Sequence, residues 1–304
     1  MKFSPMTLGT VQLGMNYGIA NDSGKPSTEK SFAILDAALS GGVNTLDTAR
    51  AYGTSEEVIG QYLKTRKEGL PNIVTKIRKL QGDTPKELTR FAVTSVEESL
   101  EKLGVNKVSA VMLHGAADPA IHGQACADAM KTLIDLGYTD QVGVSVYTAE
   151  NIRAMLPWDI FSVTQVPMSI FDQQLIADGS VDALRERGYT VFVRSVFLQG
   201  LFFLDPDKIT DPILLEHAAP KIRLLRDIAE KLGISVSQLA IAFMRDQPGV
   251  TSLVLGADTP EQVTENLSCF DTPGLDEETT ALLRKEFSQV DIPAIMQVLS
   301  RPKK

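Results

Sequence analysis

Short apolar runs alternate with longer segments of helical period along this 304-residue chain. The runs are near-continuous and rich in β-branched residues, as strands covered on both faces are. Eight are predicted: Met6–Thr10, Val43–Asp47, Asn72–Lys76, Val108–Leu113, Gln141–Ser145, Ser162–Val166, Thr190–Arg194 and Ser252–Leu255. Between them lie amphipathic stretches with recognisable ends. Lys30–Ser40 spaces Phe32, Ile34, Leu35, Ala38 and Leu39 near a 3.6-residue period and stops at Gly41-Gly42. Ser55 is expected to cap a helix running to Lys67, with Glu56 and Glu57 in its first turn. Thr84-Pro85 opens a long helix that Gly104 closes. Further helices are expected over His122–Leu136, Ala149–Met155 behind Thr148, Val181–Arg187, Lys221–Leu232, Val236–Asp246 behind Ser235, and from Pro260 to near Leu267.

Strands alternating with helices imply a parallel sheet, either open and doubly wound or closed. Eight units with no linker, short repeat or low-complexity tract favour the closed α/β form, a (β/α)8 TIM barrel. It would be a single domain over residues 1–304, including the C-terminal segment 272–304, with room for a short N-terminal β-hairpin. An open dinucleotide-binding sheet would carry Gly-x-Gly-x-x-Gly after its first strand, and Gly9-Thr10-Val11-Gln12-Leu13-Gly14 does not match.

Composition narrows the function classes. Lys and Arg total 30 against 38 Asp and Glu, a net charge of −8, so a basic nucleic-acid binder is not expected. No apolar run reaches the ~18 residues of a membrane span, and Met1–Met6 lacks the apolar core of a signal peptide. Two cysteines, Cys126 and Cys269, rule out a disulfide scaffold or Cys-rich metal site. The expectation is a cytoplasmic protein that engages neither nucleic acid nor membrane.

Barrels of this kind place their chemistry at the C-terminal ends of the strands. Those positions hold Asp47, Lys76, His114, Ser145, Gln165, Arg194 and Gly256, and Tyr52 follows in the loop after Asp47. Each alone has an ordinary explanation as a cap, a solvated side chain or a packing residue. Together they set ionisable groups after buried apolar runs, where an unpaired charge costs several kcal/mol and needs partners. An ammonium beside a phenol stabilises the phenolate, and a carboxylate can anchor the ammonium. Asp47, Lys76 and Tyr52 therefore suit proton donation to an oxygen, with His114 free to hold a carbonyl. No nucleophile elbow or ordered Ser–His–Asp set is present, and His114, His122 and His217 form no metal-ligand spacing.

At these residues the chain resembles the aldo/keto reductase family. Gly42-Val43-Asn44-Thr45-Leu46-Asp47-Thr48-Ala49-Arg50-Ala51-Tyr52-Gly53 is similar to the family's Asp/Tyr signature, Thr75-Lys76 to its lysine strand and Met112-Leu113-His114 to its histidine strand. The resemblance extends from about Leu8 to Leu267. It implies an NAD(P)-dependent carbonyl reductase or alcohol dehydrogenase, with Tyr52 as general acid/base, Lys76 lowering its pKa, Asp47 anchoring Lys76, and His114 orienting the carbonyl. It also implies nicotinamide-nucleotide contacts. Gly9, Thr10 and Val11 match the first strand-end contact, and Ser145 and Gln165 match the carboxamide holders. Ser195, Phe197, Gln199 and Gly200 fall in the pyrophosphate loop, and Gly256, Ala257 and Gln262 in the adenosine-phosphate loop. Glu265 and Asn266 match the adenine pair.

Three departures stand out. Val146 replaces the Asn often found after Ser145. Arg194, a candidate nucleotide contact, stands where an aromatic usually stacks on the nicotinamide, a place from which a guanidinium can stack on the ring or pair with a phosphate. Gln262 replaces the Arg often used for a 2′-phosphate, with Asp258 nearby. NADP(H) is slightly favoured on family frequency, and NAD(H) stays open. The substrate would be a small carbonyl compound or alcohol. Phe171, Phe197, Phe202, Phe203 and Trp158 are candidate pocket walls, and the loops are too poor in basic residues to suggest a strongly anionic ligand. Two other readings remain: a nucleotide-binding regulatory subunit without turnover, and an isomerase or lyase forming a Schiff base on Lys76.

Overall fold

The computed structural model describes residues 2–21, 23–66 and 69–301. All eight predicted runs are strands, most of them shifted by a residue or two at an end. They are β1 Met6–Gly9, β2 Thr45–Asp47, β3 Asn72–Ile77, β4 Val108–Leu113, β5 Thr139–Ser145, β6 Phe161–Pro167, β7 Thr190–Arg194 and β8 Ser252–Gly256. Every neighbouring pair is parallel, in sequence order, and β8 returns to β1 with Gly9 opposite Gly256, so the barrel closes.

Strand alternation decides what the barrel shows to its interior. Val74, Ala110, Met112, Val163 and Phe192 form the inner cluster, plugged from below by Phe3, whose ring meets Phe192 edge-on at 5.1 Å. The intervening residues, such as Ile73, Val111, Val142 and Val191, join the larger core between strands and helices. Two positions beyond an inward residue the chain faces inward again, one layer higher. Lys76 follows Val74, His114 follows Met112, Gln165 follows Val163 and Arg194 follows Phe192, so the apolar plug raises a polar layer at the C-terminal mouth.

The helix starts carry the expected chemistry. Thr84, Thr148 and Ser235 each close a capping box with Glu87, Asn151 and Gln238. Four expectations need correction. Ser55 is not a cap: the helix is Ser55–Leu63 behind Thr54, and the buried Ser55 hydroxyl instead donates to the Thr10 carbonyl at 2.9 Å. That helix stops well before the expected Lys67, which lies outside the described residues. His122–Leu136 is two helices, Asp118–His122 and Gln124–Asp135, split at Gly123, whose φ of +52° breaks the helical path. The N-terminal hairpin is absent from the described residues, because Met6–Gly9 is itself a barrel strand.

The C-terminal segment docks onto the barrel through helices Glu277–Phe287 and Ile292–Leu299. Phe287 stacks on Phe171 at 5.1 Å, and Gln173 donates to the Leu283 carbonyl, which ties the loop after β6. Residues 302–304 of this segment lie outside the described residues. No helix among the described residues is long and apolar enough to cross a membrane.

Candidate active site

Lys76 is fully buried, which is tolerable only because its three N–H donors are all engaged. Nζ bonds both Asp47 carboxylate oxygens, at 2.7 and 2.8 Å, the Thr48 carbonyl at 3.0 Å and the Tyr52 hydroxyl at 3.4 Å. Asp47 in turn accepts from the Gln165 amide at 2.8 Å. Removing either ion-pair partner would strand a buried charge, a loss of ~3–5 kcal/mol. Lysine has no lone pair to offer, so at Tyr52 the ammonium is the donor and the phenol oxygen the acceptor. The phenol's own proton is left to point elsewhere, and Tyr52 lines the cavity at the barrel mouth.

Backbone contacts fix where Tyr52 stands. Gly14 presses against the Tyr52 loop so closely that a Cβ there would overlap the Tyr52 carbonyl oxygen, and Thr54 N–H donates to the Gly14 carbonyl at 3.2 Å. Beneath the loop, the Thr48, Ser55 and Thr10 hydroxyls form a buried chain. His114 leaves the end of β4, its N–H bonded to the Ile77 carbonyl at 2.8 Å. Its ring faces Tyr52 edge-on, with centroids 6.0 Å apart.

Burial and neighbouring charge set the protonation states. Burial, with Lys76 and Arg194 adding to it, lowers the His114 pKa to about 4, so the imidazole is neutral near pH 7. Burial also pulls against the Lys76 ammonium, but Asp47 and Tyr52 outweigh it and raise its pKa. That is the reverse of what a Schiff-base amine needs, so the lyase reading loses its nucleophile. For Tyr52 burial is the larger effect and raises the pKa, while Lys76 pulls it back only in part. Sequence shows the neighbouring ammonium but not this burial, so the expected lowering by Lys76 is outweighed.

A cleft of about 470 Å³ opens over this layer. All the expected nucleotide contacts line it except Ser145 and Ala257, and it includes Asp47 and Tyr52. Ser145 and Ala257 are buried just behind. Lys76 and His114 adjoin it through Tyr52. The Ser145 hydroxyl and the Gln12 amide oxygen are buried without a hydrogen-bond partner, polar groups that a polar ligand could satisfy. The loop after β7 is strained: Ser195, Leu198 and Gln199 all take positive φ, at 66°, 46° and 58°, a conformation costing non-glycine residues ~1–3 kcal/mol each.

One wall was not anticipated. The segment after the short helix Val11–Gly14 contributes Tyr17, Gly18, Ala20 and Asn21. Ile19 N–H donates to the Gln199 carbonyl at 2.8 Å and Asn21 to the Asp258 carboxylate at 2.9 Å, so the segment straps the β7 and β8 loops together. It has no hydrophobic period to betray it. The available signal was its position, after the first strand on the functional rim. Of the candidate wall aromatics, Phe197 and Phe203 line the cleft. Phe171 and Phe202 are core, with rings 4.6 Å apart, and Trp158 packs against that core.

Comparison with known proteins agrees with this architecture. The profile described as "Aldo/keto reductase family" matches residues 5–286. A probable voltage-gated potassium channel subunit beta from Oryza sativa subsp. japonica is 26% identical, over 79% of this chain and 81% of its own length. An L-glyceraldehyde 3-phosphate reductase from Escherichia coli K12 is 24% identical, over 95% of this chain and 89% of its own. The structure of a glycerol dehydrogenase from Gluconobacter oxydans superposes with a TM-score of 0.76 at 22% identity, covering 99% of this chain and 94% of that one.

Proposed function

The chain belongs to the aldo/keto reductase family, a nicotinamide-dependent carbonyl oxidoreductase, and we propose that Tyr52 is the acid that completes its reaction. The observation that carries this reading is the phenol of Tyr52 resting on an ammonium, Lys76, that Asp47 clamps from below. The substrate is a small aldehyde, ketone or sugar, reduced to the alcohol or formed from it.

The residues present fit a nicotinamide nucleotide. Glycines at the ends of β1 and β8 keep the cleft wall low, and the orphaned Ser145 hydroxyl and Gln12 oxygen offer polar contacts. Ser145 would hold the carboxamide, the strained Ser195–Gly200 loop the pyrophosphate, and Gln262, Glu265 and Asn266 the adenosine. When bound, the nucleotide supplies hydride to the carbonyl carbon. Tyr52 gives its proton to the carbonyl oxygen, and Lys76 stabilises the phenolate left behind. Neutral His114 donates one N–H to the same oxygen and so orients it. Gln165 keeps the Asp47 carboxylate turned toward Lys76.

Family frequency leans toward NADP(H), but the charges of the cleft argue for NAD(H). Asp258 and Glu265 line the adenosine end with Gln262, and no Lys or Arg lines that end. Gln262 is committed to the Asp258 backbone N–H at 2.7 Å. A 2′-phosphate there would lie beside the Asp258 and Glu265 carboxylates. The two free, buried thiols, Cys126 and Cys269, suit a reducing compartment such as the cytoplasm.

A subunit role without turnover draws on the name of the Oryza sativa relative, and the intact Asp47–Tyr52–Lys76–His114 set favours catalysis. Reduction of an aldehyde with nicotinamide deuterated at its hydride position separates the two. The expected product carries deuterium on the alcohol carbon; an unlabelled product, or none across a broad aldehyde and sugar panel, contradicts the proposal.

A further inference from the structure

Arg194 brings to the reaction end of the cleft a cation that no carboxylate contacts among the described residues. Two of its N–H groups make contacts, both at 3.4 Å and both to neutral oxygens, the Ser195 hydroxyl and the Val146 carbonyl. Its guanidinium carbon lies 4.4 Å over the Tyr147 ring, which braces one face of the group. No ion pair is formed by Arg194 among the described residues. Asp172 is close enough to feel the charge and, although burial raises its pKa to about 6, it is largely ionised near pH 7, but it makes no bond to the guanidinium. The field of Arg194 also reaches Tyr17, Tyr52 and His114, which places the cation beside the proposed acid.

A half-buried guanidinium that no carboxylate hydrogen-bonds keeps donors that a bound anion could satisfy. Its remaining N–H groups form a planar fork that matches carboxylate or phosphate oxygens. Resting on the reductase reading above, we propose that Arg194 is a substrate-specificity residue, which binds the oxyanion of a carbonyl compound carrying a carboxylate or a phosphate. Arg194 is the one Lys or Arg among the residues lining the cleft. The substrate therefore bears a single anionic group. This refines the sequence-based expectation: the loops are indeed poor in cations, but the strand end supplies one. Tyr147 braces the guanidinium, and Phe197 and Phe203 line the same cleft, aromatic surface that suits a short carbon skeleton between the anion and the carbonyl.

Matched pairs of substrates test the assignment: succinic semialdehyde against butanal for the carboxylate, glyceraldehyde 3-phosphate against glyceraldehyde for the phosphate. The wild-type protein is expected to favour the charged member of at least one pair by about tenfold in kcat/KM, and the favoured pair identifies the oxyanion. Arg194→Met should collapse that ratio, and Arg194→Lys should restore part of it. A wild-type ratio near one in both pairs, or a ratio that Arg194→Met leaves unmoved, overturns the proposal. So does a variant whose only defect is weaker nucleotide binding, since Arg194 would then serve the cofactor. A second measurement needs no turnover: oxalate titrated calorimetrically into the protein with oxidised nicotinamide nucleotide should bind about tenfold more weakly to Arg194→Met, and equal affinity counts against the subsite. Failure of every aldehyde to react would fall on the reductase reading, and the titration would still decide the role of Arg194.

Discussion

At the residue scale the site is a set of protonation states held by burial and contact. His114 shows how. Its pKa in the fold is about 4 against 6.5 for an exposed histidine, because burial and then Lys76 and Arg194 disfavour the imidazolium. The unfolded chain thus binds a proton that the folded chain refuses between those two values, and stability falls as pH drops from about 6.5 toward about 4. The loss is up to ~3 kcal/mol. Urea unfolding of wild type and His114→Gln across that window checks it: the wild type should lose more stability than the variant, and parallel curves would show His114 to be solvated. Asp47, Lys76 and His114 were legible because each stands at the C-terminal end of an apolar strand, and Tyr52 because it follows Asp47 in the loop at the same mouth. The net rise at Tyr52 was not, because sequence shows the neighbouring charge but not the depth of burial that competes with it.

At the scale of elements, loops hold the phenol where the strands cannot. The Tyr52 loop leans on the turn Val11–Gly14, and Gly14 leaves no room for a Cβ. Gly14→Ala is therefore expected to move Tyr52 off Lys76 and lower kcat for carbonyl reduction by about tenfold or more, with the circular dichroism of the barrel retained. Activity within about twofold of wild type would mean that the loop gives way without moving the hydroxyl. Strands and helix starts were readable from Val108–Leu113 or Thr84-Pro85 because continuous apolar runs and capping residues act locally. Gly123, Ser55 and the strap at Tyr17–Asn21 were not. A left-handed glycine, a serine recruited to a buried hydroxyl chain, and a loop bonded to Gln199 and Asp258 all depend on partners distant in the chain.

For the whole molecule, closure of eight parallel strands places the ammonium, phenol, carboxylate and imidazole at one mouth and an elongated cleft across it. The far end of that cleft carries Asp258 and Glu265, so kcat/KM is expected to favour NADH over NADPH by about tenfold, and Asp258→Ser should narrow the gap. A clear NADPH preference would mean that a cation outside the cleft lining meets the 2′-phosphate. The claim on which the molecule's chemistry turns is that Tyr52 supplies the proton. Turnover of Tyr52→Phe, followed by loss of reduced-nucleotide absorbance with a reactive aldehyde, tests it most directly. The expected result is a fall of ~10²-fold or more in kcat with nucleotide affinity within about twofold of wild type. A variant that turns over nearly as fast as wild type would contradict it.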